Sequence, residues 1–206
     1  MSEPTRIELR DGSSVLVRPI EPSDRETFLA AFARTSAESR YMRFLTAVDQ
    51  LSQSEIRYFT EVDHNDHEAL IALDEATGAG VGIARFVRAP QSPVLAEAAV
   101  IVIDDWQGRG LGTALSRLLA ERAREVGVNR FYALLLASNT GMMHTLEALG
   151  PTRIVDRDGA LVAVEVDLPE QGIGEHMTGI LRAVAGGGYE LNTPAGGSEA
   201  APEPDG

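Results

Sequence analysis

The stretch Val100-Ile101-Val102-Ile103-Asp104-Asp105-Trp106-Gln107-Gly108-Arg109-Gly110-Leu111-Gly112-Thr113-Ala114 holds the residues whose types and spacing point most directly to chemistry. It reads as an apolar strand, a short turn and a glycine-rich entry into a helix. Backbone N–H groups at a helix start have no intrahelical partner and stand at the positive end of the dipole. With glycines there, no Cβ shields them, and the place suits a phosphate. Arg109 adds a side-chain donor for a diphosphate. Two other phosphate loops fit poorly. G-x-G-x-x-G starting at Gly108 fails at Thr113, and no Gly-Lys-Ser or Gly-Lys-Thr follows for a Walker loop. Taken alone, the pattern is equally compatible with a plain connecting turn that carries a solvated arginine.

The elements around the loop must position it. Leu111, Ala114, Leu115, Leu118, Leu119 and Val126 fall at helical spacing, and Gly127 closes that helix. Upstream, Arg6–Arg10 and Val15–Pro19 flank a hairpin turn at Asp11-Gly12. Ser23-Asp24-Arg25-Glu26 and Ser52-Gln53-Ser54-Glu55 read as capping boxes, and Ser36 as the cap of a segment running to Phe44. Strands follow at Glu68–Leu73, Gly80–Val87 and Leu95–Ile103. After the loop helix come a strand at Phe131–Leu136 and a helix from Asn139 to Leu149. The last pair is a hairpin, Thr152–Val155 and Ala160–Val166, turning at Asp156–Gly159. Strands before and after helices, with hairpins at both ends, predict a mixed α/β sheet rather than a purely parallel one. Residues 1–168 form the expected domain. Residues 169–189 hold Ile173, Met177, Ile180, Leu181 and Val184 at helical spacing, which predicts an amphipathic helix. Residues 190–206 are Gly, Pro, Ala and acid, the composition of a disordered tail.

Composition restricts the function classes. The net charge of −13 argues against nucleic acid, whose phosphates need a basic surface. It favours a cationic amine as substrate, although acidic surfaces also serve solubility. With 44% hydrophobic residues there is material for a core. Apolar runs such as Tyr132–Ala137 are far too short to predict a membrane span, and Met1–Arg10 is too polar for a signal peptide. The absence of cysteine excludes disulfides, thiolate metal sites and a cysteine-linked acyl intermediate. The cytoplasm is the expected compartment.

Gln107, Gly110 and Gly112 spell Gln-x-x-Gly-x-Gly between an apolar strand and a long helix. In this the chain resembles the GNAT family of acyl-CoA-dependent N-acetyltransferases. Asp11-Gly12-Ser13, Arg18-Pro19-Ile20, Asp24 and Ser36-x-x-Ser39-Arg40-Tyr41-x-Arg43-Phe44 look like the catalytic domain of bacterial Pat-type protein lysine acetyltransferases. The similarity spans about residues 6 to 168. It implies a GNAT-like mixed, largely antiparallel central sheet flanked by helices. It also implies acetyl-CoA as co-substrate and direct transfer in a ternary complex to a primary amine, a protein lysine first. Alternatives are a small-molecule amine acceptor and a non-catalytic acyl-CoA sensor. An oligomer is left open.

The resemblance also assigns residues. The backbone of Val100, Ile101 and Val102 pairs with the pantetheine amides. The amides around Gln107, Gly108, Arg109, Gly110, Leu111, Gly112 and Thr113 hold the pyrophosphate, and Asn139 contacts the pantetheine arm. Glu97 is the general base. A lysine ammonium, with a pKa near ~10.4, must lose a proton before it attacks. Burial of Glu97 is expected to help. Leu146 stands where many family members carry a tyrosine acid, so the thiolate leaves unaided or is protonated by water. His144 reads as a surface or packing histidine. Glu61, Asp63, His64, Asp66 and His67 lack a metal-site spacing and read as a solvated loop, and no metal is expected. Asp104-Asp105 is read as shaping the turn. Met142-Met143 reads as helix packing, and Trp106 is assigned neither to core nor to ligand.

Overall fold

Alternating apolar side chains build a sheet of eight strands in the computed structural model, which describes residues 4–168. The amphipathic segment and tail expected beyond Leu168 lie outside the described residues. In chain order the strands are β1 (Thr5–Glu8), β2 (Ser14–Pro19), β3 (His67–Asp74), β4 (Gly80–Arg88), β5 (Leu95–Val102), β6 (Arg130–Leu136), β7 (Thr152–Asp158) and β8 (Leu161–Asp167). Their order across the sheet is β1-β2-β3-β4-β5-β6-β8-β7. Every neighbouring pair is antiparallel except β5 and β6. The mixed, largely antiparallel sheet is thus as expected.

Helices cover both faces. On one lie α1 (Arg25–Ala33), α2 (Ala37–Phe44) and α3 (Gln53–Thr60). Phe28 and Ile56 pack there on Ile20, Ala69, Ile71 and Ile83. On the other lie α4 (Leu111–Glu125) and α5 (Thr140–Glu147), which bury Leu111, Leu115, Leu119 and Leu146 against the larger core. Cutting one of these leucines to alanine would cost about 2–5 kcal/mol. The α4 helix lies very close to the sheet. A Cβ at Gly82 would meet Leu115 Cδ1 at 3.0 Å and Ile101 O at 3.3 Å, so β4 needs a glycine opposite the helix.

Two local expectations are corrected. The first capping box forms between Glu21 and Asp24, not Ser23 and Glu26. Pro22 starts a 3-10 turn there, and the Asp24 carboxylate is held by Arg18 at 2.6 and 2.7 Å and by Glu21 N–H at 2.8 Å. The last hairpin turns later than expected, because β7 runs on to Asp158 through an irregularity between Ile154 and Asp156. Gly159, at φ +57°, then takes the turn. Asp104 and Asp105 belong to the 3-10 turn that leads into the loop, in line with their reading as turn-shaping residues. The Ser36 cap and the Ser52–Glu55 box form where expected.

Candidate active site at the parting of two strands

Strands β5 and β6 are joined over only three residue pairs, Leu95 with Arg130, Ala96 with Phe131 and Glu97 with Tyr132. Beyond Glu97 each runs on without the other. β5 continues paired to β4 as far as Val102, and β6 continues paired to β8 as far as Leu136. The side of β5 that faces β6 therefore carries backbone groups that no strand pairs over Ala98–Val102, about 17 Å of strand, with the Val102 carbonyl taken by Gln107 Nε2. An extended ligand with amides can add itself there as a short pseudo-strand.

The space between the strands is a cavity of about 780 Å³. Glu97, Val100, Ile101, Val102, Gln107, Gly108, Gly110, Gly112, Thr113 and Asn139 all line it, so the structure brings together all but two of the predicted site residues. Arg109 and Leu111 stand apart. Leu111 is buried in the core and offers the site only its backbone. The Arg109 side chain pairs with Asp11 at 2.9 Å, donates to Asp105 O at 2.6 Å and lies 4.7 Å over the Trp106 ring. It locks the loop to the β1–β2 hairpin. Trp106 is buried in the core and also lines the cavity.

At the far end of the cavity the loop enters α4. Gly110 precedes the helix at φ +93° and Gly108 has φ +75°, a region costly for residues with a Cβ. From there the first amides of the helix point outward without backbone partners. Arg10 lies along Gly110, where an added Cβ would meet its Nε at 3.4 Å. Arg10 and Arg117 both line this end of the cavity. The loop is braced from the opposite side by α2. Gln107 Nε2 donates to Ser39 Oγ and to Val102 O, both at 3.0 Å. Asp104 accepts from Ser36 N–H and Oγ, each at 2.7 Å, and from Ser39 Oγ at 2.9 Å. Desolvation pushes the Asp104 carboxyl up, but these hydrogen bonds outweigh it and hold it below its ordinary range. Asn139 caps α5, its Oδ1 accepting from Met142 N–H at 3.0 Å while the residue lines the cavity.

The opposite end is built differently. Glu97 belongs to the last pair joined before the strands part, and alternation puts it on the face covered by α1, α2 and α3. It is exposed, so the burial expected of it is not present. Near it stand Arg43 of α2 and Arg85 of β4, with Tyr58 of α3 and His67 of β3. The Arg85 guanidinium lies 4.5 Å over Tyr58 and 4.8 Å over Phe59 and is 6% exposed. Burial lowers the Arg43 pKa to about 10, with the charge of Arg85 acting in the same direction and Glu97 opposing. Burial and Arg85 together push His67 down to about 4.

Leu146 is fully buried, and His144 is exposed and lines the cavity from α5. Met142 and Met143 pack against the core as helix residues. In the loop before β3, Asp63 Oδ1 accepts from the N–H groups of Asn65, Asp66 and His67, and no group of metal ligands occurs among the described residues. No site role was assigned from sequence to Arg10, Arg85 and Arg117, or to Arg43 beyond its place in the Pat-like motif. Arg85 carried a signal, since a lone arginine inside the apolar run Val81–Val87 needs a reason. Arg10 and Arg117 carried none, because only the fold brings the hairpin and the second turn of α4 to the loop.

Residues 14–152 match the acetyltransferase (GNAT) domain family. The acetyltransferase Pat of Mycolicibacterium smegmatis is 36% identical over 166 residues, which cover 81% of this chain and 49% of that protein. The chain thus spans about half the length of that relative. An acetyltransferase of Pseudomonas aeruginosa is 33% identical over 144 residues, covering 69% of this chain and 77% of the relative. The crystal structure of the GNAT domain of S. lividans PAT superimposes with a TM-score of 0.73 at 32% identity, over 80% of this chain and 97% of that one.

Proposed function

The chain belongs to the GNAT acetyltransferase family, and from that premise we propose that it transfers an acetyl group from acetyl-CoA to a protein lysine ε-amine in a ternary complex. The observation that carries the reading is the parting of β5 from β6, with a loop of free amides at its wide end and Glu97 at its apex. The two ends suit the two ends of one ligand. The loop amides from Gly108 to Thr113, with Arg10 and Arg117 nearby, suit a pyrophosphate. The unclaimed edge of β5 suits the amides of a pantetheine arm, which would bring the acyl group toward Glu97.

Bound there, acetyl-CoA supplies an activated acetyl thioester. The residues of this chain supply the rest. Glu97 takes a proton from the acceptor ammonium, directly or through one water, and its exposure gives it a route to return that proton to solvent. A free N–H on β5 near Val100 polarises the thioester carbonyl and steadies the charge that develops on its oxygen. A C–N bond forms, the C–S bond breaks and the nitrogen sheds its second proton to solvent. The sulfur leaves as thiolate and is protonated by solvent, which accords with buried Leu146 in the place of an acid. The protein lysine as acceptor is supported by the likeness to the Pat proteins. A small-molecule amine is the second reading. The test is acetyl-CoA turnover over a panel of proteins and small amines, with mass mapping of the products. Products acetylated at lysine side chains support the first reading, and products confined to small amines replace it with the second. No transfer to any amine, with acetyl-CoA bound, would make the chain an acyl-CoA sensor.

A further inference from the structure

Most of the segment Ser36-x-x-Ser39-Arg40-Tyr41-x-Arg43-Phe44 has a structural role, although Tyr41 is exposed and Arg40 Nε is buried without a partner. Ser36 and Ser39 hold Asp104 and Gln107. Arg40 donates to Thr35 O at 2.7 Å and lies 5.2 Å over the Phe32 ring. Arg43 lies over the Phe44 ring and, among the described residues, forms no ion pair with any carboxylate. It faces a second guanidinium in the same condition. Arg85 is also without a carboxylate partner among the described residues, and its buried Nη1 has no hydrogen-bond partner at all.

Such an arrangement is costly. A charge left unpaired away from water is penalised, and two of like sign in proximity add repulsion; Arg85 is 6% exposed and Arg43 half-buried. Glu97 is the acidic side chain whose field reaches both, and it is not close enough to either for an ion pair. Two cations and one carboxylate leave a surplus positive charge at this end of the site, in a chain whose net charge is −13. Space is also present. Arg43 and Arg85 line a cavity of about 40 Å³, which shares Arg43, Phe44, Ala99 and Ile101 with the large cavity between the strands. A water needs ~10–15 Å³ by this measure, so a carboxylate group fits.

We propose that Arg43 and Arg85 form an anion subsite beside Glu97 that selects acceptors carrying a carboxylate next to the amine, namely lysines flanked by an acidic residue. This rests on the acetyl-transfer reading for what the amine is for, but not for whether the anion binds. The carboxylate enters the cavity that the two guanidinia share with Phe28, Phe32, Phe44 and Phe59, and its charge balances the pair. The amine beside it is then held at Glu97, on the same face of β5.

Calorimetry tests this with the full chain in coenzyme A, titrated with a peptide whose lysine has glutamate on both sides and with its glutamine twin. The glutamate peptide should bind about 30-fold tighter, the range found for fully desolvated charge pairs. Arg43→Gln should abolish the difference, and Arg43→Lys should restore part of it. Arg85→Met should also abolish it while keeping the volume; if that variant does not fold, the Arg43 pair decides alone. Equal binding of the twins, or a preference that survives Arg43→Gln, overturns the proposal. Lysine and lysinamide form a second arm. A larger discrimination between these two than between the peptides assigns the carboxylate to a free amino acid rather than a flanking side chain. Mass analysis of the same mixtures with acetyl-CoA separates the two readings. Selective binding without acetylation would remove the transfer reading and leave the subsite standing.

Discussion

The two glycines that bracket Leu111 should respond in opposite ways to the same methyl group. Gly110 has φ +93°, and its carbonyl accepts the first helical hydrogen bond, from Ala114 N–H at 3.1 Å. An alanine held in that left-handed conformation costs about 1–2 kcal/mol. Relaxing out of it breaks the helix start and re-aims the amides. For a domain of this size each kcal/mol shifts Tm by roughly 2–4 °C, so Gly110→Ala should melt about 2–8 °C lower. If those amides hold a pyrophosphate, losing one charge-assisted hydrogen bond, about 1.5–3 kcal/mol, should weaken acetyl-CoA by roughly 10- to 150-fold. Gly112 lies inside α4 with ordinary helical geometry, and an added Cβ would meet nothing nearer than Val102 Cγ2 at 3.9 Å. Gly112→Ala should therefore gain about 0.4–1 kcal/mol by stiffening the unfolded chain. Its N–H remains, so acetyl-CoA affinity should stay within about 3-fold, well under one lost hydrogen bond. Scanning calorimetry and titration of both folded variants give all four numbers. Unchanged affinity in Gly110→Ala, at the lowered Tm, would show that the loop does not hold the ligand.

Glu97→Gln should lower turnover on a verified acceptor by about 10²–10⁴ while acetyl-CoA affinity is kept, and wild-type turnover in the variant would move the base elsewhere. His67 gives a pH signature. Its pKa is depressed to about 4, so between its ordinary 6.5 and that value the unfolded chain takes up a proton that the native side chain refuses. Its contribution is fully present above 6.5, falls as pH drops through that window and is level below about 4. Half-burial reduces the effect to about 1–2 kcal/mol. Urea unfolding at pH 7 and 4.5 should show a smaller loss in His67→Gln than in the parent, and equal losses would contradict the assignment. Arg109→Ala should lower Tm, because its bonds tie the loop to the hairpin, yet weaken acetyl-CoA less than Gly110→Ala does. A larger loss in calorimetry would make Arg109 a direct phosphate ligand.

The loop's place was legible because a glycine run after an apolar strand and before helical spacing marks a helix start, while its phosphate role came from the resemblance. Strand positions were legible from alternation, and the Ser52–Glu55 box from its spacing. What was not legible depends on the third dimension. Nothing in Arg109 distinguishes a phosphate donor from a side chain claimed by Asp11 and Trp106, because Asp11 lies far away in sequence. Glu97 was expected to be buried because it adjoins an apolar run. Its strand neighbour β6 diverges at that residue, and the divergence opens the site to solvent. The β7 hairpin was misjudged because an irregularity absorbs a residue and hides the register from a period-two count. Arg43 and Arg85 meet only because α2 folds back against β5.

Three residue pairs between β5 and β6 also have a mechanical meaning. They leave the sheet as two rafts, β1 to β5 and β6 to β8, fastened at one corner and held elsewhere by the helices that span them. A guest that bonds to one raft and touches the other acts as a removable staple. Beneath the gap one continuous core, Ala98 and Val102 with Phe131 and Leu135, already joins the two rafts. The ladder that fastens them ends at Glu97, so the residue proposed to move the proton sits where the two rafts last share a pair.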